Sequence, residues 1–456
     1  MNKMDVLARI FLGIAAVILV TGCSEKERIL TGERIDVRVP LSKSVGMESD
    51  PDSEEVVNLD FSRDFNLALP ISVPPMRHYN SWEHINASRS HQVSNPALAG
   101  GISRLWSVSI GKGSEVRQRL TAGPIFANGL VYAVDSQARV SAHTPEGRQV
   151  WSTDLIPAGE SPTDASSGGM AHDNGILFVT TGFGELHALH ATSGKSFWVQ
   201  EFDAPAILAP MVSNGLVYVV TQDSRGWAID VNNGRLRWRW QSALGTAAIA
   251  SGASPAAYGD MAFIPYPSGE IQAIDARSGL LAWSAAIGGS RGPTARSSVT
   301  AITGGPVVAG GTVYAANQAG KMSAIDVTTG RVKWTVSEGS YNPVWPVGGS
   351  VFLVSDVAEL VRLNANSGSR IWAVKLPEFK QAKLSRRKAV YANFGPIMAG
   401  GRLIVASSDG KMRHFDPVSG TLIGETEIGE GAASSPIVVN GVLYLTSQNG
   451  NLLAFR

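Results

Sequence analysis

A glycine that stands four residues before a tryptophan recurs along most of this sequence. The pairs are Gly147 and Trp151, Gly194 and Trp198, Gly234 and Trp238, Gly279 and Trp283, Gly330 and Trp334, and Gly368 and Trp372. A further glycine, Gly420, is followed at that distance by Gly424. From Trp106 to Trp372 the mean tryptophan spacing is about 44 residues, a period typical of propellers and solenoids. The chain is therefore a repeat protein.

Each repeat has the composition of a β-hairpin followed by another strand. The segment Ala-Ile-Asp-x-x-x-Gly occurs at 228–234, 273–279 and 324–330. Its Asp can accept hydrogen bonds from turn amides, and its Gly supplies the positive φ that the turn requires. Runs such as 216–220 are apolar and β-branched, with no helical period. Such sheets cannot cover their own faces, so we expect stacked blades with a Trp wedged between neighbours.

The last repeat is incomplete, because 436–456 supplies only the first strands of a unit. Residues 102–108, which include Trp106, have the sequence of the missing strand. Pairing the two segments would close a ring and remove two exposed sheet edges. The sequence thus predicts an all-β fold, an eight-bladed β-propeller of four-stranded antiparallel blades closed by an N-terminal strand on the C-terminal strands. A seven-bladed ring stays open if one degenerate unit is not a blade.

The N-terminal residues predict export and lipidation. Two basic residues precede an apolar run at 10–20, which is too short for a transmembrane helix, and Thr21-Gly22-Cys23 follows. Cys23 is the only cysteine, which favours acylation over an ordinary signal peptide that happens to contain a thiol. We therefore predict a lipoprotein signal peptide at 1–22, a lipidated N-terminus and flexible tether at 23–75, and the propeller at 76–456.

Charge and motifs argue against several classes of function. The net charge is +1 and becomes neutral once residues 1–22 are removed, which disfavours nucleic-acid binding. One basic cluster lies at 375–388, where a solvated loop or contact with an acidic partner or phospholipid headgroups are both open. No nucleophile elbow, phosphate loop or metal-ligand cluster is present. We expect no catalytic residue, no metal and no cofactor.

The Ala-Ile-Asp-x-x-x-Gly-x-x-x-Trp repeat resembles the pyrroloquinoline-quinone-type propeller repeat over about residues 100–456. That repeat occurs both in quinoprotein dehydrogenases and in scaffolds that are not enzymes. The dehydrogenases usually carry adjacent cysteines and calcium ligands, and this chain has no second cysteine. The lipidation motif, the tether, the short-looped blades and the C-terminal strand together resemble the BamB family of the outer-membrane β-barrel assembly machinery. The longer tether is a departure from that family.

This resemblance implies a non-catalytic scaffold lipoprotein on the periplasmic face of the outer membrane. It would bind the POTRA domains of BamA and help unfolded outer-membrane protein precursors to insert, with acylation, including palmitate, at Cys23. Ser24, which is not Asp, favours outer-membrane sorting by resemblance to bacterial lipoproteins. The alternatives are a quinoprotein-like dehydrogenase or ligand-binding propeller, and a sensor or cell-wall scaffold.

The resemblance also places partner contacts on loops of one rim. The corresponding segments here are 247–252 and 290–296, which lie in two of the longer connections. Ile249, Arg291 and Arg296 are the candidate contact residues. The family's Leu and Asp residues are missing at these positions, so the alternative that both loops are only connections stays open.

Overall fold

The computed structural model describes residues 66–115, 118–120, 122–164, 166–243, 252–292, 299–381, 383 and 386–456. These residues form eight four-stranded antiparallel sheets and one short 3-10 turn, Ile85–Ala87. The predicted signal peptide and Cys23 lie outside the described residues, as do Ile249 and Arg296.

The first half of the ring contains blades 1 to 4, and each blade runs in sequence order from its inner to its outer strand. Blade 1 contains β2 (Ile125–Ala127), β3 (Leu130–Val134), β4 (Arg139–His143) and β5 (Gln149–Asp154); blade 2 contains β6 (Ser167–Asp173), β7 (Ile176–Thr181), β8 (Glu185–His190) and β9 (Ser196–Glu201); blade 3 contains β10 (Met211–Ser213), β11 (Leu216–Val220), β12 (Arg225–Asp230) and β13 (Leu236–Gln241); blade 4 contains β14 (Ala256–Tyr258), β15 (Met261–Pro265), β16 (Glu270–Asp275) and β17 (Leu281–Ala286).

The second half contains blades 5 to 8, and only blade 8 mixes strands from the two ends of the chain. Blade 5 contains β18 (Ile302–Ala309), β19 (Thr312–Asn317), β20 (Met322–Asp326) and β21 (Val332–Val336); blade 6 contains β22 (Trp345–Val347), β23 (Ser350–Val354), β24 (Glu359–Asn364) and β25 (Arg370–Lys375); blade 7 contains β26 (Asn393–Ala399), β27 (Arg402–Ser407), β28 (Lys411–Phe415) and β29 (Leu422–Glu427); blade 8 contains β30 (Ile437–Val439), β31 (Val442–Thr446), β32 (Asn451–Phe455) and β1 (Arg104–Ser109).

The predicted closure is confirmed, because β1 pairs antiparallel with β32 and places Trp106 opposite Ala454. The prediction of eight blades is confirmed too, and the degenerate unit that ends near Gly424 forms blade 7. Inner and middle strands are buried on both faces, whereas outer strands such as β5 and β9 alternate between exposed and half-buried residues. The sequence therefore gives the outer strands the half-buried pattern of a sheet edge.

At seven of the eight junctions between blades, a tryptophan ring packs on a glycine. Each ring lies over the turn glycine of the next blade, where a Cβ atom would stand 2.5–2.9 Å from a ring carbon. The pairs are Trp106 with Gly147, Trp151 with Gly194, Trp198 with Gly234, Trp238 with Gly279, Trp283 with Gly330, Trp334 with Gly368 and Trp372 with Gly420. Six of the seven indole N–H groups donate to a turn carbonyl of that next blade, at 2.9–3.4 Å. The expected tryptophan wedge is thus present.

The same contact explains why blade 7 carries a glycine at the tryptophan position. Gly424 is the third residue of β29, where other outer strands have Trp. The neighbouring blade 8 joins β32 to β1 from distant parts of the chain, so no tight turn with a glycine lies between these two strands. A tryptophan at position 424 would have no turn glycine in blade 8 to pack on. The repeat therefore departs from the pattern at the one position where the glycine partner is missing.

Residues 79–96, hereafter the plug, circle the axis at the end of the ring formed by the first-to-second strand hairpins. The plug meets all eight blades in ring order, starting at blade 8. Its hydrogen bonds join Tyr79 to Asn440, Trp82 to Phe126, Glu83 to His172, His84 to Val212, Arg89 to Ala257, Ser90 to Val308, Ser94 to Trp345 and Pro96 to Gly400. Trp82 is 2% exposed. This end of the central channel is therefore closed by the chain itself.

Two buried arginines hold the segments on either side of the plug. The Arg362 guanidinium donates to the carbonyls of Leu69, Pro70 and Val418, and Arg402 donates to the carbonyl of Ala99. Residues 66–75, assigned to the tether from sequence, thus lie against blade 6. The Leu67 N–H donates to the carbonyl of Ile371 and the Asn66 side chain bonds to the backbone of Ala373, both in β25, but residues 66–75 form no strand of their own.

Substitution of Gly330 tests the tryptophan contact against a matched glycine in the same blade. Gly330 and Gly311 both have φ +71, but a Cβ at Gly330 meets the Trp283 ring and a Cβ at Gly311 meets nothing within 4 Å. We expect G311A to cost about 1 kcal/mol of unfolding free energy through left-handed strain. We expect G330A to cost about 2 kcal/mol more through overpacking.

Urea unfolding followed by far-ultraviolet circular dichroism measures both effects. Equal midpoints for the two variants would show that the Trp283 ring adds nothing to the strain at Gly330.

Candidate functional site

The connections from one blade's outer strand to the next blade's inner strand all lie at one end of the ring, opposite the plug. Antiparallel order fixes this placement, because these connections share an end with the second-to-third strand hairpins. We call this end the loop rim. In the sequence, 247–252 lies between β13 and β14 and 290–296 lies between β17 and β18, strands that meet this rim; 247–251 and 293–296 are outside the described residues.

Of the three predicted contact residues, the structure describes only Arg291. Its backbone N–H donates to the carbonyl of Ala319 at 2.8 Å. Its guanidinium pairs with Glu338 at 2.9 Å and with Asp356 at 2.8 Å. Its side chain is 19% exposed, and both carboxylate side chains are 8% exposed. Arg291 therefore joins the connection before blade 5 to the two acidic residues beside blade 6.

Arg370 extends this cluster, because it pairs with Glu338 at 2.6 Å and with Glu359 at 3.0 Å. Burial alone would lower the pKa of Arg291, but the hydrogen bond to Asp356 and the charge of Glu338 outweigh it and raise that pKa. The guanidinium is thus a permanent cation with two internal partners. In this position Arg291 fixes the base of its loop, and a partner would have to compete with Glu338 and Asp356 for it.

A cavity of about 410 Å³ occupies the axis of the ring. The plug forms its floor, with Trp82, His84, Asn86 and His91 among the lining residues. Its walls come from the inner strands and the connections before them, which include Gly169, Ala209, Thr303 and Ser434. At the other end the lining reaches Tyr341, which is 48% exposed. We call this cavity the central chamber; it opens at the loop rim.

The two plug histidines are held neutral in the floor of the chamber. His84 accepts from the Val212 N–H through Nε2 at 3.2 Å, so its proton is on Nδ1. His91 donates from Nδ1 to the carbonyl of Pro306 at 2.9 Å, which leaves its Nε2 as an acceptor. Burial lowers the pKa of His84 to about 3 and that of His91 to about 4.

The basic cluster at 375–388 is partly described and lies in the connection between blades 6 and 7. The Arg387 guanidinium is 4.8 Å from the ring centre of Phe379, and the Lys380 ammonium is 5.8 Å from that of Tyr391. These cation–π contacts fold the loop on itself.

The described residues contain neither a metal-ligand cluster nor a membrane-spanning helix. Among them, no three or more His, Cys, Asp or Glu side chains are grouped so that they could hold a metal ion. In that part of the chain no helix combines the length and hydropathy needed to span a bilayer.

Sequence reasoning missed the plug and the chamber. The repeat pattern begins after residue 100, so 79–96 has no counterpart in other units with which it could be compared. The only signal was a change near Trp82 towards the composition of a folded domain, with three histidines and two asparagines within ten residues of it.

A family model described as outer membrane protein assembly factor BamB matches residues 136–374 and 362–456. A protein of that name from Yersinia pestis is 25% identical over 365 residues, which cover 77% of this chain and 88% of that protein. A namesake from Xanthomonas campestris pv. campestris is 29% identical over 367 residues, which cover 78% of this chain and 86% of the relative.

Solved structures share the architecture at lower sequence identity. BamB from Moraxella catarrhalis has a TM-score of 0.64 at 20% identity and covers 78% of this chain and 100% of its own. Quinohemoprotein alcohol dehydrogenase from Comamonas testosteroni has a TM-score of 0.63 at 15% identity, with 83% of this chain and 81% of its own covered. At such identities the likeness shows the fold alone.

The neutral histidines predict that the plug weakens in acid. Each His binds a proton in the unfolded chain near pH 6.5 but in the folded chain only near pH 3 to 4. Unfolding free energy is therefore full above about pH 6.5 and falls as the pH drops below it, by up to about 1.4 kcal/mol per pH unit for each His.

We expect the variant H84Q/H91N, whose amides can replace the Val212 and Pro306 hydrogen bonds, to lose less stability than the wild type between about pH 7 and about pH 5. Urea midpoints across that range measure the difference, and H78Q, which alters an exposed His beside the plug, is the control. Identical slopes for wild type and H84Q/H91N would rule out the two plug histidines as the source.

Proposed function

This chain belongs to the outer membrane protein assembly factor BamB family, and from that premise we propose that it is a non-catalytic scaffold of the outer-membrane β-barrel assembly complex. It is anchored by an acylated Cys23 at the periplasmic face of the outer membrane. It binds the POTRA domains of BamA through the loop rim, and it assists the folding and insertion of outer-membrane protein precursors.

The observation that carries this proposal is the difference between the two ends of the ring. The plug and the segments held by Arg362 and Arg402 cover one end with the chain's own residues. In the sequence, the long connections 242–255 and 287–301 join strands at the loop rim, and the structure describes 242–243, 252–255, 287–292 and 299–301 of them. A rigid ring that presents loops at one end suits a scaffold, because binding residues concentrate on loops held by a fixed framework.

Within the rim we assign the partner contact to Ile249 and Arg296 and give Arg291 a positioning role. Arg291 already has Glu338 and Asp356 as partners. Replacing it with Glu would put three carboxylates together and disturb the rim itself, so the loss of a partner in that variant would not identify a contact.

The alternative of a quinone-dependent dehydrogenase fits the chamber poorly. Pyrroloquinoline quinone carries three carboxylates, and a buried polyanion needs cationic partners. No Lys or Arg is among the described residues that line the chamber, and no Asp or Glu is there to hold a divalent cation. The similarity to the Comamonas enzyme therefore extends to the architecture and not to a site for its cofactor chemistry.

Capture of partners from detergent-solubilised envelopes tests the scaffold function. The bait is the tagged mature lipoprotein, and BamA is quantified by mass spectrometry. We expect I249D and R296E each to lower BamA recovery by about tenfold or more, because a desolvated anchor at an interface contributes about 2 kcal/mol.

Matched control variants lie at the plug end of blades 4 and 5, away from the loop rim. L280D introduces the same charge at a residue that is 69% exposed in the β16–β17 turn, and R331E reverses an exposed charge in the β20–β21 turn. Both should recover BamA as the wild type does. Equal recovery by the rim variants would move the contact elsewhere, and absence of BamA with the wild-type bait would refute the scaffold function.

A further inference from the structure

The central chamber has the dimensions of a ligand site, and its lining is uncharged. Its volume of about 410 Å³ falls in the range of small-molecule pockets. The walls are largely aliphatic and aromatic, with Ile125, Met170, Leu208 and Phe394 as examples. Among the described lining residues, none is Asp, Glu, Lys or Arg. A charged ligand that entered the chamber would lose its hydration and would find no opposite charge there. The free-energy cost of that desolvation is high.

One donor in the floor has no partner. Asn86 is 9% exposed, and its Nδ2 makes no hydrogen bond within the described residues. The backbone holds this side chain at φ 47 and ψ 43, in the left-handed region that Asn tolerates better than most residues. A buried amide donor without an acceptor costs free energy. Asn86 lines the chamber but its Nδ2 is covered, so an acceptor in the chamber would satisfy this donor once the side chain turns towards the cavity.

His84 and His91 supply the complementary groups beside Asn86. With Nε2 of His84 occupied by Val212, the remaining polar group of that ring is the Nδ1–H donor. With Nδ1 of His91 occupied by Pro306, the remaining group is the Nε2 acceptor. Burial is the main cause that lowers the pKa of both rings, with a smaller contribution from His91 to the pKa of His84, so both are neutral at physiological pH. The floor therefore offers two donors and one acceptor, all uncharged.

We propose that the central chamber binds a small uncharged molecule that joins an apolar body to an amide-like end, with a carbonyl acceptor next to an N–H donor. The carbonyl accepts from Nδ2 of Asn86, the N–H donates to Nε2 of His91, and the apolar body lies against the aliphatic walls. The ligand enters past Tyr341 at the loop rim, since the plug closes the other end. This site is additional to the BamA contact and does not depend on it.

Benzamide is the probe, and benzoate and benzylamine are its charged analogues of similar size. Binding to the mature lipoprotein in lipid nanodiscs is measured by saturation-transfer difference NMR, with empty nanodiscs as the blank. We expect saturable binding of benzamide, and binding of the two charged analogues at least about tenfold weaker, because neither anion nor cation has a partner in the chamber.

Two variants test the site. N86G removes the amide donor at a position where glycine adopts the same φ, and we expect it to weaken benzamide binding about tenfold. G123L fills the chamber and should abolish binding, since a Cβ at Gly123 meets its nearest neighbour at 3.6 Å and is accommodated. G288L is the matched control, because a Cβ there meets nothing within 4 Å and Gly288 does not line the chamber.

Each outcome decides the proposal. Benzamide binding that G123L abolishes, N86G weakens and G288L retains supports it. Absence of benzamide binding to the wild type, unchanged binding in G123L, or equal binding of benzoate overturns it. Circular dichroism checks the fold of each variant, and N86G keeps the test decisive if G123L does not fold.

Discussion

The ring depends on the contact between a tryptophan and the turn glycine of the following blade. Only glycine can occupy that turn, because the backbone has positive φ and the ring leaves no room for a Cβ atom. The same ring packs against an aromatic residue of its own blade in most units, as Trp283 does on Phe263 and Trp334 on Tyr314. At seven of the eight junctions a blade therefore packs its tryptophan on its neighbour, and the strand exchange between β32 and β1 closes the ring.

Closure then determines what lies on the axis. Eight inner strands surround a channel. Glycines in these strands allow close packing: a Cβ at Gly168 would clash with Thr180, and one at Gly169 would clash with Ala209. The plug closes one end of the channel through hydrogen bonds to every blade, and the channel opens at the other end, the loop rim. The chamber, its neutral histidines and the free rim all follow from this asymmetry.

Ion pairs hold part of the loop rim in place, and the arginines in those pairs are not free to contact a partner. Arg291 and Arg370 share Glu338, and their other partners, Asp356 and Glu359, belong to blade 6. These paired charges are largely buried, and such pairs are costly to break, so the cluster fixes the connection between blades 4 and 5 at its base. An arginine in a predicted contact loop thus proved to have internal partners, a distinction that depends on carboxylates far away in the sequence.

The sequence by itself determined the all-β class, the eight blades, the wedge and the strand exchange that closes the ring. Those features follow from local periodicity, turn chemistry and the displaced Trp106 strand, and each repeat supplies another copy of the same signal. Only the tertiary structure decided what the single-copy residues do. The partners of His84, Arg291 and Arg362 are backbone groups and carboxylates that ring closure brings near. The spacing of residues along the chain does not show which groups a closed ring will place together.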